Sequence, residues 1–249
     1  MKNNIFQHPA ALNTKTITKA LGAVVVGFAL MFHSLASHGQ NLLADPGFEH
    51  QTPAAGGGWN LFGGAAYSNA YAHTGEWYMF LPAFFSVPGT FEQFPAAPGS
   101  KWQLTGFGMT PVPIYGSPAF GIVQISFFDV FGNDVGTVET AGSGTNAKVS
   151  NYVDSAATPG QWIALDTGTA TAPAGTAYIQ AFTLVVDFTG LYQGVYFDDL
   201  SLRVLVANHG QYVSSIAHNA QALLNAGLIT ADQKDAMVRA AARSGGGKK

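Results

Sequence analysis

Gly194-Val-Tyr-Phe-Asp-Asp-Leu-Ser-Leu-Arg-Val204 decides the fold, read together with Asn41-Leu-Leu-Ala-Asp-Pro-Gly-Phe-Glu49 near the other end of the chain. The later stretch puts Leu200, Leu202 and Val204 on one parity and Phe197, Asp199, Ser201 and Arg203 on the other. That period of two predicts a half-buried strand. The earlier stretch is apolar at Leu42 and Leu43, turns at Asp45-Pro46-Gly47 and returns to an apolar Phe48 beside Glu49. A chain that opens and closes on short strands, with strand and turn signals between, most economically pairs its two ends within one β-sandwich.

Between these ends the strand signals recur without helical periods. Trp102–Phe107 alternates, Gly121–Phe128 reads as a strand buried on at least one face, and Ala177–Val186 reads as another. Gly132-Asn133-Asp134 and Ala141–Ala147 carry turn and loop chemistry. Thirty glycines, twelve prolines and 10% charged residues suit a turn-rich all-β protein. The absence of cysteine excludes disulfides, thiolate metal sites and cysteine nucleophiles together.

Both ends of the chain depart from this pattern. Lys2, Lys15 and Lys19 precede the 13-residue apolar run Ala20–Phe32 and then Ser34-Leu35-Ala36. This predicts a secretory signal peptide over residues 1–36, its apolar run shorter than the ~20 residues of a membrane span. The mature chain is then secreted, cell-surface or periplasmic, with no membrane span after cleavage; an uncleaved anchor is the alternative. At the other end Val213, Ile216, Ala217, Ala220, Leu223 and Leu224 follow helical spacing. Gly227 stands where a helix C′ residue would, and Thr230-Ala-Asp-Gln233 has the form of a capping box. A helical hairpin over 207–244 and a flexible tail over 245–249 are expected. Helices this short need their apolar faces packed on each other, on the sandwich or on a protein partner.

Charge narrows the partners. Without residues 1–36 the chain keeps 8 of its 11 bases against 14 acids, a net of −6. Residues 37–209 hold Lys101, Lys148 and Arg203 against twelve carboxylates, which excludes a nucleic-acid surface.

The two deciding stretches also resemble the opening N-L-L-x-N-P-G-F-E and the closing v-y-x-D-D-v-s-L of carbohydrate-binding modules of the family 4, 9, 16 and 22 group. Gly58-Trp59, Thr74–Trp77, Gln93 with Pro98–Trp102, Phe128-Asp129 with Gly132-Asn133, and Gly160–Trp162 with Ala172–Gly175 fit the same pattern in order. The resemblance covers roughly residues 40–206. It implies a galactose-binding-like jelly-roll β-sandwich over residues 37–206. It also implies a structural calcium, with Glu49 and Asp198 as side-chain ligands and Asp199 as the alternate.

Sugar recognition requires exposed flat rings beside polar groups. The aromatic-rich stretch from Trp59 to Phe94 offers Tyr67, Tyr71, Trp77 and Tyr78, with Asn69, Glu76 and Gln93 as polar companions, and Tyr115 adds a ring in a proline-flanked loop. Trp59, Trp102 and Trp162 are assigned to the core. No nucleophile elbow, zinc-protease or phosphate-loop motif occurs. The expectation is a non-catalytic protein that binds polysaccharide or glycan. The alternative is a structural or adhesion protein of the cell surface or matrix with no sugar site.

Overall fold

The computed structural model describes residues 41–51, 58–83, 87–114, 119–139, 152–187, 193–206, 208–244 and 246. The signal-peptide reading of residues 1–36 and the loop Ala141–Ala147 lie outside them. Among the described residues eleven strands come first: β1 (Asn60–Phe62), β2 (Ala66–Ser68), β3 (Tyr78–Ala83), β4 (Gly89–Pro95), β5 (Lys101–Met109), β6 (Phe120–Phe128), β7 (Asp134–Glu139), β8 (Ile163–Asp166), β9 (Ala170–Thr171), β10 (Tyr178–Val186) and β11 (Gln193–Val204). Two helices follow, α1 (His209–Asn225) and α2 (Ala231–Arg243).

The strands form two antiparallel sheets, one in the order β1-β4-β10-β6-β7 and the other β2-β3-β11-β5-β8, with β9 also on β5. The chain changes sheet between β1 and β2, β3 and β4, β4 and β5, β5 and β6, β7 and β8, β9 and β10, and β10 and β11, which is the winding of a jelly roll. Between the sheets lie Trp59, Trp102, Leu104, Val123, Ile125, Phe127, Ile179 and Leu202, all buried. Truncating a large member of such a core to Ala costs about 3–5 kcal/mol.

The opening segment runs antiparallel to the closing strand. Leu42 N–H donates to Leu202 O (2.9 Å), Leu200 N–H to Pro46 O (2.8 Å), and the Asn41 side chain both donates to Leu200 O and accepts from Leu202 N–H. β11 departs from simple alternation, however. Phe197, expected on the face opposite Leu200, is buried in the core together with Leu200, Leu202 and Val204. The register against β5 slips between Asp198 and Ser201, and Asp199 takes φ 48°. This β-bulge inserts one residue and so returns the apolar side chains to the same face.

The helical hairpin matches its sequence signals. Gly227 takes φ 70° beyond the end of α1, the conformation for which glycine is favoured at C′. Thr230 and Gln233 form both bonds of the capping box, and Asn208 caps α1. Tyr212, Ile216, Ala220, Ile229, Met237 and Ala241 belong to the same continuous core as the sandwich. The Tyr212 ring stands edge-on to Trp102 at 6.1 Å and its hydroxyl donates to Pro95 O; Asn219 donates to Ala96 O and Thr176 O. The hairpin's apolar face is therefore packed on the sandwich. Among the described residues no helix is long and apolar enough to cross a membrane.

Candidate functional site

Alternation on the five-stranded sheet sends Thr90, Glu92 and Phe94 of β4 inward and Phe91 and Gln93 outward. β10 likewise sends Ile179, Ala181 and Thr183 inward and Tyr178, Gln180, Phe182 and Leu184 outward. Ile122, Phe182 and Leu184 form an apolar cluster separate from the main core, with Phe62, Phe91, Phe120 and Phe128 packed on it.

Register then aligns a polar row across this outer face. Gln180 stands opposite Gln93 on one side and Ser126 on the other, and Ser126 stands opposite Thr137. Neighbours in the row are hydrogen-bonded: Gln180 Nε2 to Gln93 Oε1 at 3.2 Å, and Ser126 Oγ to Thr137 Oγ1 at 2.9 Å. Gln124 Nε2 donates to Ser126 Oγ, and the Thr137 hydroxyl donates to Asp134 Oδ2. Four strands at about 4.8 Å spacing give the row a length of about 14 Å.

Rings flank the row on both sides. On one side Phe91 and Phe182 stand opposite each other with centroids 5.3 Å apart, and Phe62 packs on both. On the other side Phe128 and Tyr178 stack at 5.1 Å and 9°. Burial, and then the nearby Asp129, push the Tyr178 phenol above its ordinary range. The amides and hydroxyls of the row both donate and accept, but Gln180, Ser126, Tyr178 and Phe182 are buried, so the accessible groups of this face are the half-buried Phe91 and Gln93 of β4 and Gln124, Phe128 and Thr137 of β6 and β7. The outward-facing positions of these strands carry no Lys or Arg among the described residues.

The rings singled out from the sequence occupy three different environments. Tyr71 is 57% exposed and stacks on Tyr196 at 5.8 Å and 23°, on the outer side of the six-stranded sheet. Tyr78 also packs on Tyr196 but is only 2% exposed, so its ring has no free face. Trp77 is half-buried, with its N–H donated to Glu49 Oε1. Tyr67 faces the core edge-on to Phe48; its hydroxyl is buried, and burial followed by the Asp45 and Glu92 carboxylates raises its pKa to about 12. Tyr115 lies outside the described residues. Trp162, assigned to the core, is instead half-buried and stands edge-on to His73.

Of the polar companions, Gln93 belongs to the outer row, whereas Gln124, Ser126, Thr137 and Gln180 were missed. Their only signal was a polar residue on the outward parity of β6, β7 and β10.

Glu49, Asp198 and Asp199 do come together, around the loop of residues 73–77 and Gly47. Asp198 Oδ2 accepts from the N–H groups of His73 and Thr74 (2.8 and 3.3 Å) and Oδ1 from Asp199 N–H (2.7 Å). Asp199 accepts from Thr74 Oγ1 at 2.7 Å and lies 2.6 Å from His73 Nδ1. Glu49 Oε1 accepts from the N–H groups of Glu76 and Trp77 (3.0 and 3.2 Å). Burial raises the Asp198 pKa to about 6 against the opposing pull of its backbone donors. This donor set does not fit a calcium ion, which takes six to eight oxygen ligands. Among the described residues no three His, Asp or Glu side chains form a group that could hold a metal.

No family model and no curated protein matches the chain. Similar solved structures include the CBM22-1 xylan-binding domain of Xyn10C from Paenibacillus barcinonensis, 15% identical over 69% of this chain and 99% of that one, with a TM-score of 0.46. TmCBM61 in complex with β-1,4-galactotriose is 16% identical over 66% of this chain and 98% of that one, TM-score 0.39. The enzymatically active domain of bacteriophage CBA120 tailspike protein 4 is 14% identical over 67% of this chain and 22% of that one, TM-score 0.43. These are likenesses of fold at low identity.

Proposed function

We propose that the chain is an exported, non-catalytic β-sandwich that holds a neutral polysaccharide or glycan against the outer face of its five-stranded sheet. The observation that supports this reading is the polar row Gln93–Gln180–Ser126–Thr137, whose accessible members Gln93 and Thr137 share the outer face with the half-buried rings of Phe91 and Phe128, themselves backed by the buried Phe182 and Tyr178. A sugar ring has apolar faces and a polar rim. Aromatic flanks beside amides and hydroxyls match both parts of it. The absence of Lys and Arg from this face among the described residues favours a neutral polymer over an anionic one. Export rests on the basic, apolar and small-residue order of residues 1–36. Calcium is not part of this reading.

The competing reading, a structural or adhesion protein, would have its hairpin dock a partner. Tyr212, Ile216, Ala220, Met237 and Ala241 of the hairpin are buried in the sandwich's core, which leaves that reading only the half-buried Val213, Leu223, Leu224 and Val238 as large apolar side chains on the surface of the helices.

Affinity electrophoresis against a panel of soluble neutral glycans tests the proposal. Retardation on at least one glycan is expected, weakened tenfold or more by Phe91→Ala or Gln93→Ala and little changed by Tyr71→Ala. A chain retarded by none of the glycans refutes the reading, and loss of binding in Tyr71→Ala alone moves the site to the other sheet.

A further inference from the structure

The resemblance implies a cation where the opening segment meets β11, yet the polarity of the loop there is the reverse of what a cation requires. A calcium cage is built from oxygens, many of them backbone carbonyls. The loop of residues 73–77 instead turns the N–H groups of His73, Thr74, Glu76 and Trp77 toward Asp198 and Glu49. Successive N–H groups in a turn form an anion-binding concavity, with partial positive charge on every hydrogen. The Thr74 hydroxyl and His73 Nδ1 address Asp199 in the same way, at 2.7 and 2.6 Å.

We propose that this loop takes the cation's place. Its amides, one hydroxyl and one imidazole compensate the three carboxylates and clasp the two ends of the sandwich without a metal.

Two backbone features are matched to this arrangement. Gly75 takes φ 67°, and a Cβ there would lie 2.0 Å from Glu49 Oε1, so the loop can close on the carboxylate only with glycine at this place. Asp199 takes φ 48° at the β-bulge, and in that conformation its carboxylate reaches both Thr74 and His73. The His73 ring also stacks on Phe107 at 4.0 Å and 20°, which fixes the imidazole from behind.

The test uses the full chain with no glycan present, so its outcome is independent of the sugar reading. Thermal unfolding is followed in chelator and across a series of calcium chloride concentrations, with calcium chloride titrated into the protein by calorimetry. The expected result is one Tm throughout and no binding heat, with Thr74→Val lowering Tm by the same amount with and without calcium. A ligand that binds only the folded state would raise Tm with its concentration. Such a rise, abolished in Glu49→Gln, overturns the proposal, and so does a Thr74→Val chain as stable as the parent.

Discussion

His73 Nδ1 and Asp199 Oδ2 lie 2.6 Å apart although 126 residues separate them in the chain. The same carboxylate accepts from Thr74 Oγ1, so one side chain of the closing strand secures two consecutive residues of a distant loop. Hydrogen bonds to charged groups contribute about 1.5–3 kcal/mol each. Asp199→Ala is expected to cost about 2–3 kcal/mol, read as a lower urea midpoint at unchanged slope. Asp199→Asn should cost less, because asparagine tolerates the left-handed backbone and keeps an acceptor. Equal loss in the two variants would count against this account.

Gly75 offers a sharper test, since its backbone sits at φ 67° with Glu49 Oε1 only 2.0 Å from the place a Cβ would occupy. Gly75→Ala combines left-handed strain of about 1–2 kcal/mol with displacement of Glu49 from its donors. A total loss of about 2–4 kcal/mol in urea unfolding is expected, against about 1–2 kcal/mol in a Gly99→Ala control in which only the strain is present.

Glu92 lies inside the sandwich, 3% exposed, where burial raises its pKa to about 8 although backbone N–H groups of Ala44 and Asp45 pull the other way. A carboxyl whose folded pKa exceeds its unfolded value near 4.5 binds more protons in the folded state across that interval. Its contribution is complete below about pH 4.5 and is lost as pH rises toward 8. Stability should therefore fall by a few kcal/mol between pH 5 and 8 from this group, at about 1.4 kcal/mol per unit at most. Glu92→Gln should flatten that slope in unfolding curves collected across the interval. A variant with the parent's slope would show that another group sets it.

The hairpin shares one core with the sandwich through Tyr212, Ile216 and Ala220. Ile216→Ala should cost about 2–4 kcal/mol. Because the core is continuous, the loss should appear as a lower midpoint of a single transition, seen alike by far-ultraviolet circular dichroism and tryptophan fluorescence. Separate transitions in the two signals would mean that the helices unfold independently.

The sequence made the pairing of the ends readable because apolar alternation and turn residues are local signals, and so were the C′ glycine and the capping box. Phe197 was misplaced because a bulge moves parity by one residue, and the residue that creates it, Asp199, reads as any other polar strand residue. Trp162 was assigned inward by hydrophobicity alone, whereas its partner His73 arrives from a loop nearly ninety residues earlier. The row from Gln93 to Thr137 was hidden for a related reason. Each member comes from a different strand, and only the register of four strands brings them into line.

The pairing of Leu42 with Leu202 puts the entry and the exit of the sandwich at one spot. A domain whose ends emerge together can be spliced into a surface turn of a host protein, with both junctions side by side and neither partner stretched. The hairpin brings the chain back to the same end of β11, where Gly246 lies against Val204, so a bridge from there to Asn41 and a new opening cut in a distant turn would yield a circularly permuted chain with the same layers and helices.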